Sequence, residues 1–199
     1  KGVLNLVHGS QDIVNGLLDH PQVNAISFVG SQPVAQYVYE VAAKNGKRVQ
    51  ALAGAKNHSI VLADAILEKT VEGIINGAFG SAGQRCMACS VVVVVEEVAD
   101  QLINQLIVES KKINIGNGID KEVKLGHVIS EQHLERVHKY IDLGVQQGAK
   151  LILDGRNVTT TNQNNRGYFL GPTIFDNVTT DMKIWKEEIF APVLSIIRV

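Results

Sequence analysis

Val71-Glu72-Gly73-Ile74-Ile75-Asn76-Gly77-Ala78-Phe79-Gly80-Ser81-Ala82-Gly83-Gln84-Arg85-Cys86-Met87-Ala88-Cys89-Ser90-Val91-Val92-Val93-Val94-Val95 is the stretch that decides the fold. Val71, Ile74, Ile75, Ala78, Phe79 and Ala82 fall on one helical face, the spacing of an amphipathic helix packed on a core. Gly80 and Gly83 then loosen the chain. Ser90 to Val95 is short, apolar and β-branched, which predicts a strand buried on both sides. A long helix, a glycine-flanked loop and a buried strand in that order predict an α/β fold with much parallel sheet, layered between helices. Cys86 sits in the loop between them.

The same alternation extends outward in both directions. Val3–Val7 reads as a strand closed by Gly9, and Ser10 can cap a helix running to Asp19, stopped at His20-Pro21. Ala25–Val29 reads as a strand broken at Gly30. Ser31 can cap the next helix, with Pro33 in its first turn and Asn45-Gly46 at its end. Val49–Ala53 and Ile60–Leu62 read as strands around a Gly54-Ala55-Lys56-Asn57 turn. Downstream, Val98, Leu102, Ile103, Leu106 and Ile107 mark a helix that should end near Gly116-Asn117-Gly118. Ser130 can cap another, bearing Leu134, Val137, Ile141 and Val145 and stopping at Gly148. Leu151–Leu153 reads as a strand, residues 156–167 as a polar loop, and Tyr168–Phe175 and Val193–Val199 as closing strands.

The chain has 199 residues, and a domain of that size buries roughly 70% of its unfolded surface without a staple. Net charge is −1 with no block of like charge, which argues against nucleic acid or an acidic membrane face as partner. The longest apolar run, Val91–Val95, is too short to span a bilayer. Two cysteines and no leader-like start fit a reducing cytoplasm. Sequons at Asn57, Asn157 and Asn177 are then chance matches. Lys1 at the start and an apolar run ending at Val199 are what a piece of a longer chain would show.

Cys86 and Cys89 are spaced Cys-x-x-Cys, a spacing shared by redox pairs and half zinc sites. Zinc needs two more ligands at suitable spacing, and the six histidines are scattered singly. A thioredoxin-type pair sits where a strand enters a helix, the reverse of the order here. A single nucleophile fits better. A free thiol is only about 3% thiolate at pH 7, and Arg85 with nearby backbone N–H groups could raise that fraction. A packed, inert thiol is the competing reading for Cys86 and the favoured one for Cys89.

Five ordered segments resemble the aldehyde dehydrogenase superfamily across essentially the whole chain. They are Gly2-Val3-Leu4-Asn5 through His8-Gly9, Ser27-Phe28-Val29-Gly30-Ser31, Gly83 to Ala88, Gly167 to Thr173, and Lys186-Glu187-Glu188-Ile189-Phe190-Ala191-Pro192-Val193. The resemblance implies the end of an NAD-binding domain over residues 1–50 and a catalytic domain, incomplete at its C-terminus, over 51–199. It implies Cys86 as nucleophile, with its own backbone N–H helping to hold the oxyanion. Gly30, Ser31 and Ala53 would lie on the cofactor side, Glu188 would bind the nicotinamide ribose hydroxyls, and Phe190 would pack by the nicotinamide.

One departure is chemical. Where most members carry Glu-Leu-Gly-Gly-Lys, this chain has Leu52-Ala53-Gly54-Ala55-Lys56. The glutamate that activates water for thioester hydrolysis is replaced by Leu52, which cannot take a proton. Together with Gly54-Ala55-Lys56-Asn57-His58 and Gln84-Arg85-Cys86-Met87-Ala88, this resembles the CoA-acylating methylmalonate-semialdehyde branch. That branch implies NAD and coenzyme A as cosubstrates, a small semialdehyde substrate, and a homodimer or homotetramer. The competing functions are a hydrolytic aldehyde dehydrogenase, a cysteine hydrolase needing a histidine near Cys86, and a non-catalytic binding domain. Lys56 reads as structural, His58 as a satisfied core or surface residue, and His127 and His138 as unpartnered.

Overall fold

The structure, a computed structural model, describes residues 2–161 and 167–199. The chain divides into two compact units, residues 1–54 and 55–199. The boundary inferred from sequence, 50/51, falls inside the last strand of the first unit.

The first unit contains α1 (Gln11–Asp19), β1 (Ala25–Gly30), α2 (Gln32–Lys44) and β2 (Arg48–Ala53). β1 and β2 pair in parallel, with Ala25 opposite Arg48 and Gly30 opposite Ala53. Leu18, Val38 and Ala42 form its small core, with Ile26, Phe28 and Val49 packed on it. The link from α1 to β1 is fastened by Lys47, whose ammonium donates to the carbonyls of His20 and Val23, both at 2.6 Å. The strand expected over Val3–Val7 does not form. Val3 and Leu4 are almost fully exposed and pair with nothing among the described residues. Without a neighbour the backbone gains no ladder and the side chains no packing.

The second unit is built on a five-stranded sheet in the order β3 (Asn57–Val61), β4 (Cys89–Val94), β7 (Val193–Arg198), β6 (Thr173–Asp176), β5 (Lys150–Leu153). All neighbours are parallel except β5 on β6. Alternate residues of the central strands face opposite layers. Val92, Val94, Ile174, Leu194 and Ile196 pack with α3 (Leu67–Phe79) and α4 (Glu96–Lys111). Phe175 and Val193 pack with α5 (Glu131–Gln146) and α6 (Lys183–Lys186). This is the three-layer, largely parallel arrangement expected from sequence. Ser130 caps α5 as anticipated, its hydroxyl accepting from the His133 N–H at 3.2 Å.

Two boundaries and two caps differ from expectation. α4 stops at Lys111, well before Gly116, because the Asn114 carbonyl accepts from the N–H groups of Lys124 and Leu125 and draws the chain out of the helix. The strand expected from Tyr168 begins only at Thr173. Ahead of it the Gly171 N–H turns to the Gly155 carbonyl, and Pro172 has no N–H to give a ladder. Ser10 and Ser31 stand at the N-caps of α1 and α2, but neither side chain makes a capping bond. Residues 162–166 of the expected polar loop lie outside the described residues. Among the described residues no helix is long and apolar enough to cross a membrane.

Candidate active site

In the second unit the site forms at the amino-terminal edge of three neighbouring parallel strands. Asn57 opens β3, the Cys86 turn leads into β4, and residues 187–192 lead into β7. A pocket there is lined by Asn57, Cys86, Cys89, Glu188 and Phe190 among others.

The cysteine turn is tightly shaped. After α3 the chain passes through Ser81 (φ 54°), Ala82 (φ 53°) and Gly83 (φ 67°), three consecutive left-handed residues. Only glycine fits the third. A Cβ on Gly83 would lie 2.2 Å from the Ala191 carbonyl oxygen, so the turn and the segment before β7 touch backbone to backbone. The residues flanking Cys86 act as splints. The Gln84 side chain accepts from the Ile129 N–H at 2.9 Å and donates to the His127 carbonyl at 3.5 Å. The Arg85 guanidinium donates to the carbonyls of Asn76 and Gly77, at 2.6 and 3.1 Å, bracing the last turn of α3. The sequence suggested Arg85 as an activator of the thiol. The structure instead gives its guanidinium to the helix end.

Cys86 itself is exposed, and neither its thiol nor its N–H has a hydrogen-bond partner among the described residues. Cys89, three positions on, is half-buried. Its sulfur lies 3.1 Å from the Ser59 hydroxyl. Burial pushes the Cys89 thiol up, and the Ser59 contact only partly opposes this. A raised thiol is a poor nucleophile at neutral pH. Both cysteines are free, and no group of three or more His, Cys, Asp or Glu among the described residues could hold a metal ion.

Facing the turn across the pocket is the strap Glu187–Phe190, held by one face of α5. His133 Nε2 lies 2.8 Å from the Phe190 carbonyl oxygen, as the donor in its Nε2–H tautomer. Arg136 donates to the Glu188 carbonyl at 3.2 Å. Tyr140 donates to the Glu187 carboxylate at 2.5 Å, and Arg136 lies over its ring. His133, Arg136 and Tyr140 are spaced so that they share one helix face. Phe190 is left-handed, with φ 61°, a costly state for a bulky residue that the surrounding bonds must enforce. Lys56 completes the fastening, its ammonium donating to the Glu187 carbonyl at 2.8 Å. Burial lowers the Lys56 pKa to about 8, against the opposing pull of Glu188 and Glu187.

The Glu188 carboxylate accepts no hydrogen bond among the described residues and lines the pocket with Cys86. A half-buried acceptor pair without a protein donor suits a ligand carrying adjacent hydroxyls. In the first unit, Gly30 and Ala53 are Cα partners at the carboxyl ends of β1 and β2, and Ser31 follows at the start of α2. Free amides at a helix start after a parallel strand are the ordinary setting for a phosphate-bearing cofactor.

Sequence reasoning missed the strap's supports. His133, Arg136 and Tyr140 look like an ordinary polar helix face. Asn57 looked like a turn residue. His127 is not unpartnered: its Nδ1 lies 2.7 Å from the Val128 carbonyl oxygen and its ring meets Phe169 edge-on. His58 lies against Trp185, with its Nδ1 at 2.7 Å from the Lys56 carbonyl oxygen.

The family model for the aldehyde dehydrogenase family matches residues 1–199, and the chain belongs to that family. A malonate-semialdehyde dehydrogenase 2 from Bacillus mycoides is 65% identical over 198 residues, and its namesake from Geobacillus kaustophilus is 63% identical over 198. Both alignments take in 100% of this chain but only 41% and 40% of those relatives, so the chain spans about two-fifths of their length. A structure of a methylmalonate-semialdehyde dehydrogenase from Oceanimonas doudoroffii superposes with a TM-score of 0.92 at 44% identity, covering 96% of this chain and 39% of that one. One from Sinorhizobium meliloti 1021, named likewise and complexed with NAD, gives 0.92 at 45% identity over the same shares.

Proposed function

We propose that the complete protein is an NAD-dependent, CoA-acylating dehydrogenase of malonate or methylmalonate semialdehyde, releasing acetyl-CoA or propionyl-CoA through a thioester on Cys86. One observation carries this reading: among the described residues an exposed cysteine thiol with no hydrogen-bond partner shares a pocket with the Glu188 carboxylate, which accepts no hydrogen bond and sits on a strap fixed from behind. The names of the relatives and of the NAD-bound neighbour support the substrate class and the cofactor.

The chain's own residues account for the first steps. The Cys86 thiolate gives its electron pair to the aldehyde carbon while the carbonyl π pair moves to oxygen. The free Cys86 N–H is a donor available to that oxyanion. In the second unit Glu188 and Phe190 are the residues assigned to the nicotinamide, and in the first unit Gly30, Ser31 and Ala53 are the residues assigned to the cofactor. Bound NAD would supply the acceptor for the hydride that leaves as the oxyanion collapses to a Cys86 thioester. Loss of the β-carboxylate as carbon dioxide leaves an electron pair that takes up a proton. A CoA thiolate then attacks the acyl carbon and expels the Cys86 thiolate. Leu52 supports transfer to CoA over hydrolysis, because a hydrocarbon side chain cannot deprotonate water. We place the protein in the cytoplasm as a homodimer or homotetramer.

The test is product identity. With malonate semialdehyde and NAD, the complete protein should form acetyl-CoA only when coenzyme A is present, and Cys86→Ser should lose NADH formation by at least about a thousandfold. Rapid release of free acid without coenzyme A would overturn the CoA-acylating reading in favour of a hydrolytic one.

A further inference from the structure

Asn57 touches the cysteine turn, yet none of the roles carried by the family resemblance falls on it. Its Nδ2 donates to the Cys86 carbonyl at 2.8 Å and to the Ala88 carbonyl at 2.9 Å. Both amide hydrogens are thereby committed to the backbone of one turn. Asn57 is aimed there by an irregularity of the sheet. It is the Cα partner of Cys89, whereas His58 already pairs with Val91, so the register shifts by one residue between them. Such a bulge re-aims a side chain at the end of a strand.

The consequence for Cys86 follows from peptide geometry. The Ala88 N–H donates to the Arg85 carbonyl at 3.0 Å and closes the turn. In a planar trans peptide the N–H points opposite to the carbonyl of the same unit. Tying the Arg85 carbonyl inward therefore turns the Cys86 N–H outward. Asn57 holds the next peptide by its Cys86 carbonyl and the far end of the turn by its Ala88 carbonyl. The peptide planes on both sides of the Cys86 Cα are thus fixed, one directly and one through Ala88.

We infer that Asn57 is a positioning residue for the nucleophile: its amide clamp sets the direction of the Cys86 N–H and of the Cys86 side chain. This rests on the assignment of Cys86 as nucleophile. Asparagine suits the position chemically. It offers two hydrogens from one nitrogen, as required by two converging carbonyls. Aspartate would set a carboxylate against two carbonyl oxygens, and alanine would leave both without a donor. The commitment of both hydrogens also makes the Asn57 sequon unfit for glycosylation in the folded protein.

The experiment compares Asn57→Ala and Asn57→Ser with wild type and Cys86→Ser in the complete protein. Three quantities are measured: the single-turnover burst of NADH with malonate semialdehyde, the rate of Cys86 alkylation by iodoacetamide, and the KM for NAD. The expected result is a burst at least about tenfold slower in Asn57→Ala, since small misplacements of a reacting group cost that much or more. Alkylation and KM should stay within about threefold, because the thiol remains exposed and the strap is untouched. Asn57→Ser, with one shorter donor, should fall between. A burst within twofold of wild type in Asn57→Ala overturns the clamp. So does a joint collapse of burst, alkylation, NAD binding and thermal midpoint in both variants, which would make Asn57 a purely structural amide. A burst that survives in Cys86→Ser removes the nucleophile itself, and that failure is read separately from the Asn57 variants.

Discussion

The two units place their candidate residues at opposite ends of their strands. In the first, Gly30, Ser31 and Ala53 sit at the carboxyl ends of β1 and β2. There the helix start supplies free amides, and the backbone can serve a ligand unaided. In the second, Cys86, Asn57 and Glu188 gather at the amino-terminal edge of β3, β4 and β7. Positioning falls to side chains: Asn57, Gln84 and Arg85 for the turn; Lys56, His133, Arg136 and Tyr140 for the strap. A site at the carboxyl edge can be built from glycine and helix geometry. A site at the amino edge needs a scaffold of long polar side chains.

That contrast can be broken most severely at Gly83, where the turn meets Ala191. Gly83→Ala must push a methyl into a carbonyl oxygen and hold alanine left-handed. It should cost about 3 kcal/mol, seen as a lower urea midpoint, and reduce the NADH burst together with NAD binding. Retention of both at wild-type levels would show that the close contact does not matter.

A smaller effect is expected when only the strap is loosened. Arg136→Ala removes the bond to the Glu188 carbonyl and the cation over Tyr140, each worth about 1 kcal/mol. The KM for NAD should rise three- to tenfold while Cys86 alkylation is unchanged. As a control from the first unit, Ser31→Ala should leave stability within about 0.5 kcal/mol, because its hydroxyl makes no capping bond. Equal effects of Arg136→Ala on alkylation and on NAD would mean that turn and strap are one unit rather than two.

The smallest expected effect is the pH response of Lys56. Its folded-state pKa is lowered from 10.5 to about 8, chiefly by burial. Between those values the unfolded chain carries the extra proton, so stability should rise with pH across that window, where burying the cation ceases to be a penalty. Thermal midpoints of wild type and Lys56→Met at pH 7.5, 8.5 and 9.5 isolate the contribution. The difference between the two proteins should shift in favour of wild type as pH rises; a constant difference would refute the assignment.

Much of the fold was legible because its signals are local. The apolar faces of α3 and α5 and the valine run of β4 appear as periodicity. Glycines and a place between a helix and a strand marked Cys86 as a candidate, and the family resemblance made it the expected nucleophile. Less legible were features whose cause lies far along the chain. The early stop of α4 depends on Asn114 meeting residues 124 and 125. The late start of β6 depends on Gly171 finding Gly155. Val3–Val7 has the composition of a strand but no strand partner among the described residues, and composition alone cannot supply one.

By itself the sequence determined the class of the fold, and the family resemblance it carries singled out Cys86 as the candidate nucleophile and Leu52 as the departure from the family's water-activating glutamate. Periodicity suffices for the fold class, a property of neighbouring residues, whereas the candidate roles rest on the resemblance. Only the tertiary structure decided that Arg85 splints a helix instead of assisting the thiol, that Cys89 is bound to Ser59, and that one face of α5 holds the strap. It also decided what surrounds Cys86. The amide that fixes its turn comes from another strand, Asn57 of β3, brought into reach by a one-residue shift in register. Hydrogen bonds between residues far apart in sequence exist only once the sheet has closed, so no local pattern announces them.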